Sequence, residues 1–310
     1  MPPSEFEIIR RYFERPAPNA LLGVGDDAAL VRVAEGMELA ISTDLLVEGR
    51  HFLPGADARR LGHKALAVNL SDMAAMGASP RWATLALALP DAEEAWIRDF
   101  AEGFFALASR FGVELIGGDT TRGPRSLCVC ILGEVRAGAA LRRSGAQAGD
   151  DVWVSGQLGG AALALAHPEL TEAAIRLHAP EPRVGLGERL LGHATAAIDV
   201  SDGFAQDLGH ILERSHCGAL VHYEQLPKCP AFAQVADPGL ERRCVLAGGD
   251  DYELVFTAAP ASRAAIEGFA KPLGVAVTRV GTIRSGDALA IVDREGHPIA
   301  VPRGYDHFAA

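Results

Sequence analysis

The chain has 310 residues, 49% of them hydrophobic, which is enough to bury a large core and long enough to favour two domains over one. Its formal charge of −11 excludes a nucleic-acid groove, which needs a basic stripe to displace phosphate counterions. An acidic chain still takes polyphosphates when metal ions stand between carboxylate and phosphate.

No run is apolar and long enough to span a bilayer, and residues 1–15 carry charge throughout with no apolar signal core, so a cytoplasmic protein without a membrane partner is expected. The five cysteines form no C-x-x-C pair and read as reduced thiols, with Cys128 and Cys130 at strand spacing on one face. Residues 5–13 have the spacing of a short amphipathic helix, ended by Pro16 and Pro18. Strands are expected at 28–30 and 38–42, the second delivering Ser42-Thr43-Asp44 at its carboxyl end, where α/β sheets hold ligands. Residues 61–76 form a strong helix stopped by Gly77 and Pro80, with Asp72 near its C-terminal end. The helix dipole disfavours a carboxylate there, and either a metal ion or solvent has to compensate. A strand at 82–89, a helix at 93–111 and strands at 113–116 and 126–135 complete the first half, with residues 117–124 as a glycine-rich loop.

Small, polar and basic residues at 138–149 mark a domain boundary. The second half opens with a strand at 151–154 running into Ser155-Gly156-Gln157-Leu158-Gly159-Gly160 and an Ala-rich helix. Such a junction offers backbone N–H groups to phosphate, although glycine there serves tight packing just as often. Helices are expected at 184–191, 204–215 and 262–273, and strands at 219–223, 252–257, 275–283 and 288–293.

Six short clusters punctuate this chain, most of them after an apolar run. They are Gly25-Asp26-Asp27, Ser42-Thr43-Asp44, Asn69-Leu70-Ser71-Asp72, Gly117-Gly118-Asp119-Thr120, Ile198-Asp199-Val200-Ser201-Asp202-Gly203 and Gly248-Gly249-Asp250-Asp251. Oxygen-rich clusters of this kind suit hard divalent cations. No P-loop, protein-kinase, esterase or zinc motif is present. Many carboxylates with little His or Lys fit a reaction whose difficulty is charge repulsion, such as phosphoryl transfer onto a phosphate, whose acceptor oxygen is already ionised.

The motifs Gly23-Val24-Gly25-Asp26-Asp27-Ala28, Ser42-Thr43-Asp44 followed by His51-Phe52, residues 64–77 around Asn69-Leu70-Ser71-Asp72, Ile116-Gly117-Gly118-Asp119-Thr120-Thr121, Ile198-Asp199-Val200-Ser201-Asp202-Gly203 and the terminal Gly304-Tyr305-Asp306-His307-Phe308 occur in that order. Together they resemble the thiamine-monophosphate kinase family, which is similar in fold to the aminoimidazole ribonucleotide synthetase superfamily. The resemblance implies a mixed α/β, two-domain fold, with an N-terminal sheet-with-helices domain over residues 1–140 that binds ATP and Mg2+ and dimerises. A C-terminal α/β domain over residues 141–310 completes the active-site cleft. It further implies a homodimer, ATP as co-substrate, thiamine monophosphate as acceptor, several Mg2+ ions, and no covalent catalytic residue. Position by position it assigns Mg2+ to Asp27, Ser42, Thr43, Asp44, Asp72, Asp119, Asp199 and Asp202. ATP falls to Gly118, Asp119, Arg143 and Ser201, and thiamine monophosphate to His51, Asp250 and Tyr305. Asp250 is a departure, since many members of the family carry Glu there, and the side chain, shorter by one methylene, reduces its reach. Asp26, Asp207 and Asp251 are left between a supporting role at the metals and plain surface.

Two other readings compete. One is a synthetase of the same superfamily acting on a different acceptor; its selenide-using members need a reactive Cys near the N-terminus and its hydrogenase-maturation members end in a Cys-bearing tail, whereas here the first cysteine is Cys128 and the chain ends Phe308-Ala309-Ala310. The other is a non-catalytic sensor of thiamine phosphates or nucleotides, for which six acidic clusters are superfluous.

Overall fold

In the computed structural model, which describes residues 3–302 and 304, the chain divides into two compact units. One comprises Met1–Met73 and Ala78–Gly138, the other Ala74–Gly77 and Ala139–Ala310. The first unit opens with helix α1 (Glu5–Ile8), started by a reciprocal cap in which Glu7 N–H donates to Ser4 Oγ and Ser4 N–H donates to the Glu7 carboxylate. The chain continues as a wider π-helical turn through Phe13. The strand expected at 28–30 does not form. Only a bridge between Leu22 and Leu30 remains, because Gly25 at φ 121° turns the chain back between them.

Strand β1 (Met37–Val47), helix α2 (Ala58–Met76), β2 (Ser79–Leu89), helix α3 (Glu94–Phe111), β3 (Glu114–Arg122) and β4 (Ser126–Arg136) follow. The sheet order is β1-β4-β2-β3, antiparallel except for the β2–β3 pair. Two expectations change here. Ser42-Thr43-Asp44 lies in the middle of β1 and not at its end, since β4 offers pairing partners as far as Val47. Gly117-Gly118-Asp119-Thr120 belongs to a strand and not to a loop: β3 runs beside β2 to Arg122. Gly118 makes that approach possible, because at φ 149° an added Cβ would stand 1.9 Å from the Leu85 carbonyl oxygen.

One face of the sheet, with Leu85, Leu87, Leu127, Val129 and Ile131, is buried together with Leu66, Leu70 and Met73 of α2. Helices α2 and α3 cross at two glycines; a Cβ on Gly62 would meet the Phe100 oxygen at 2.0 Å, and one on Gly103 the Arg59 oxygen at 1.9 Å. On the other face Ile41 and Leu45 are 59% and 51% exposed.

The second unit contains β5 (Asp151–Ser155), α4 (Gly160–Ala166), α5 (Thr171–His178), α6 (Val184–Leu190), β6 (Ala194–Asp199), α7 (Phe204–Ser215), β7 (Gly218–His222), α8 (Pro238–Ala247), β8 (Leu254–Ala258), α9 (Arg263–Ala270), β9 (Val277–Arg284) and β10 (Leu289–Val292). Its six strands run β10-β7-β9-β5-β8-β6, all antiparallel except β10 with β7. Helices α5 and α8 were not anticipated, although Asp237, capping the N–H groups of Gly239 and Leu240 ahead of Pro238, is a readable start signal for α8. Strand β8 begins at Leu254, two residues later than expected, because Asp250 and Tyr252 are left-handed. The fold is mixed α/β in both units. Among the described residues, no helix is long and apolar enough to cross a membrane.

Candidate active site

Strand alternation splits the Ser42-Thr43-Asp44 cluster. Ser42 and Asp44 are half-buried on the face that α2 covers, while Thr43 is exposed opposite Cys130 on the other face and can join them only through its main chain. From α2, one turn apart, come Asn69 and Asp72. Ser42 Oγ donates to Asp72 Oδ2 at 2.5 Å, and Asp44 N–H donates to Asn69 Oδ1 at 3.3 Å. Asn69 is held by its own helix, Nδ2 donating to the Ala65 oxygen at 3.0 Å. The hydroxyl of Ser42 thus provides part of the compensation that a carboxylate at a helix C-terminus requires.

Elsewhere in the same unit a cavity of about 910 Å³ gathers Asp27, Gly118 and Asp119 on its polar side, with Phe6, Phe13 and Ile116 among its apolar residues. Asp26 shapes the turn beside it by accepting the Asp27 N–H at 2.9 Å. The donors assembled in this unit are carboxylate and hydroxyl oxygens, the set preferred by Mg2+ over softer metals. Among the described residues, no three of these carboxylates come within ligand spacing of one another. Among the described residues, the set of three that meets a 4.8 Å limit is Asp293, Glu295 and His297, in the turn after β10.

In the second unit β6 ends at Asp199, and Ser201, Asp202 and Gly203 turn into α7. Asp207, in the first turn of α7, accepts the N–H groups of Asp202 and Gly203, both at 3.1 Å, and so shapes the loop. Burial pushes its carboxyl up to about 7, against the opposing pull of those bonds. Facing this loop is the Gly248–Tyr252 segment. Asp250 N–H donates to the Ser201 oxygen at 2.9 Å, and Gly249 lies so close that a Cβ would stand 2.2 Å from that same oxygen.

The glycine loop 155–160 is closed to phosphate. Gln157 N–H donates to Glu253 Oε1, and the N–H groups of Gly159 and Ala161 donate to the two oxygens of Asp251. Its glycines serve packing: at Gly156, φ 53°, the Glu253 carboxylate fills the space of a side chain. Asp251 is therefore neither surface nor a metal support but a buried anchor, its carboxyl raised to about 8 by burial.

Comparison with known proteins accounts for both halves. Residues 25–135 match the family model of the AIR synthase related protein, N-terminal domain. The thiamine-monophosphate kinase of Salmonella typhimurium (strain LT2) is 47% identical over 320 residues, covering 98% of this chain and 98% of that one. The chain belongs to the thiamine-monophosphate kinase family. It is therefore an enzyme of the kinase class. The crystal structure of thiamine-monophosphate kinase from Stenotrophomonas maltophilia K279a superimposes with a TM-score of 0.86 at 46% identity, over 95% of this chain and 96% of that one. The structure of AaThiL complexed with AMPPCP and TMP gives 0.77 at 28% identity, over 98% and 96%.

The remaining residues singled out from the thiamine-monophosphate kinase motifs fall as follows. His51 sits just past β1, where its Nδ1 accepts the Val47 N–H at 3.0 Å; the ring in this bond is neutral, with its proton on Nε2. Arg143 is exposed on a segment that runs along edge strand β6, with Arg142 C=O accepting from Ala197 N–H and Arg143 C=O from Ser215 Oγ. Tyr305 lies outside the described residues; Gly304 before it lies beside Asp202, where a Cβ would come within 3.0 Å of the Asp202 oxygen. Sequence reasoning named Asn69 within its cluster without giving it a role, and it passed over Glu253 and the cavity-lining Phe6 and Phe13 as site residues. The sequence held no signal for the last pair, because only the structure separates Phe6, 73% exposed, from the buried Phe13 and sets both beside Asp27 and Asp119.

Proposed function

We propose that the protein transfers the γ-phosphoryl group of ATP to thiamine monophosphate, giving ADP and thiamine diphosphate, by one direct in-line displacement assisted by several Mg2+ ions. The observation that carries this reading is near-full-length identity to thiamine-monophosphate kinases, joined to a related structure that holds AMPPCP, an ATP analogue, together with TMP. Asp27, Ser42, Thr43 through its main chain, Asp44, Asp72 and Asp119 in the first unit would hold Mg2+, as would Asp199 and Asp202 in the second, and Mg2+ when bound neutralises the repulsion between donor and acceptor phosphates.

The chain's own groups then bind and align. Gly118 and Asp119 line the cavity of about 910 Å³, a size suited to a nucleotide. Arg143 offers a guanidinium for bidentate contact with ATP phosphate, and Ser201 a hydroxyl. His51, Asp250 and Tyr305 take thiamine monophosphate, the last by cation–π attraction to the thiazolium. An acceptor phosphate oxygen forms its bond to the γ-phosphorus as the bond to the bridging oxygen breaks and ADP leaves; that oxygen is already ionised, so no strong base is required. Residues 1–140 supply most of the Mg2+ and ATP contacts and the dimer contact, and residues 141–310 add Asp199 and Asp202 for Mg2+, Arg143 and Ser201 for ATP, and Asp250 for thiamine monophosphate.

A homodimer in the cytoplasm is part of the same proposal. Its support is the apolar outer face of β1, where Ile41 and Leu45 stand exposed on either side of Thr43.

Chromatography of the products tests the reading. ADP and thiamine diphosphate are expected in equal amounts, and only with a divalent cation. Equal ATP consumption with unphosphorylated thiamine, or turnover that survives chelation, contradicts it.

A further inference from the structure

Residues 250–253 are anchored more heavily than the link between a helix and a strand requires. Asp250 and Tyr252 both hold left-handed backbone, at φ 67° and φ 49°, a region that aspartate tolerates but an aromatic residue rarely enters. Such outliers persist only where the surroundings over-determine them, and they cluster where ligands are held. Here the surroundings do so on both sides. The N–H groups of Asp250 and Tyr252 donate to the oxygens of Ser201 and Val200, each at 2.9 Å. The Asp251 carboxylate accepts the Gly159 N–H at 2.6 Å. Glu253, only 1% exposed, is gripped by Nε and Nη2 of Arg183, each at 2.6 Å, and by Ser155 Oγ at 2.7 Å. The outcome of this anchoring is a side-chain contact: the phenol of Tyr252, a residue 8% exposed, donates to Asp250 Oδ1 at 3.0 Å.

We infer that Tyr252 is a positioning residue for the phosphate acceptor: its phenol aims the Asp250 carboxylate at the cationic and amino groups of thiamine monophosphate. The left-handed backbone on either side of Asp251 lets the ring fold back far enough to reach it. The inference rests on the proposed role of Asp250 as an acceptor contact. A carboxylate on one methylene has only two torsions, so a hydrogen bond at one oxygen fixes the direction of the other. Removing the phenol oxygen takes away this fixed point and loosens the aim of the carboxylate. The loss falls on acceptor binding in ground state and transition state alike, and so on KM and not on kcat.

Steady-state kinetics of Tyr252→Phe, Asp250→Asn and the double variant test this. Tyr252→Phe keeps the buried ring and should raise KM for thiamine monophosphate about tenfold. Its KM for ATP and its kcat should stay within about twofold. The double variant should be no worse than Asp250→Asn alone, because the phenol acts through that carboxylate. If Asp250→Asn leaves KM for thiamine monophosphate unchanged, the acceptor role of Asp250 falls and the inference with it. If Asp250→Asn impairs acceptor binding while Tyr252→Phe is normal, impairs both substrates alike, or adds fully in the double variant, Asp250 keeps its role and the inference about Tyr252 is overturned. Where Tyr252→Phe lowers the melting temperature, the rise in melting temperature brought by thiamine monophosphate, set against the rise brought by ATP, gives the same readout.

Discussion

Ser42 and Asp72, thirty positions apart in the chain, meet in one short hydrogen bond, and the chemistry at residue scale turns on the carboxylates around them. Asp44→Asn, Asp72→Asn and Asp119→Asn each delete a charge without changing volume. Each should cut turnover by about 100-fold or more at saturating Mg2+, consistent with several kcal/mol of charge stabilisation lost from the transition state. Circular dichroism should show the fold intact, and near-normal turnover in all three would sink the assignment. A second prediction concerns Asp251. Its folded pKa of about 8 lies above the ordinary carboxylate value, so between about pH 4 and pH 8 the folded chain keeps a proton that the unfolded chain has lost. Stability therefore falls as pH rises through that window. Asp251→Asn removes this contribution, and its melting temperature should depend less on pH across the same range; equal slopes for the two proteins would show that Asp251 is ionised in the fold. The types and order of the acidic residues were legible in the sequence because each stands in a short motif. Asp251 was not, since nothing local distinguishes a carboxylate that caps Gly159 from one in solvent; its partner lies 92 positions away.

At the scale of elements, helices with a periodic face and a stop signal were readable. Helix α7 spans Phe204–Ser215 as expected, and α2 differs from expectation only at its start. Strands in this chain were harder, because glycine marks a loop by propensity and close approach by geometry. In β3 geometry prevails: Gly118 pairs with Leu85 across the β2–β3 ladder, where no side chain fits. Gly118→Ala should lower stability by roughly 2–4 kcal/mol, the sum of backbone strain and overpacking, and should loosen Asp119 with it. Chemical denaturation measures this, and an unchanged midpoint would show that β3 does not lie against β2 as described. Strand β1 teaches a related lesson. Its Ser-Thr-Asp run suggested a terminus, yet eleven consecutive pairs with β4 keep it extended, and alternation rather than position in the chain decides which of the three side chains faces α2.

At the scale of the whole molecule, the exposed pair Ile41 and Leu45 is where the proposed homodimer would form. Replacing both with Lys should leave the core untouched, since both side chains are exposed, and should halve the mass seen by sedimentation. A wild-type monomer, or a variant that stays dimeric, would remove this face from the proposal. Family and fold class could be read from the motifs because these lie along the whole chain in order. Register, the closure of the 155–160 loop and the anchoring of Asp250 could not, because each depends on partners far away in sequence. The central claim is a direct transfer between two phosphates. The measurement that tests it most directly is the fate of the γ-phosphate of radiolabelled ATP. The account predicts label in the terminal phosphate of thiamine diphosphate, only when thiamine monophosphate and Mg2+ are both present, and none on the protein. Label on the protein after incubation with ATP alone, or label released as inorganic phosphate at the rate of ATP consumption, would contradict it.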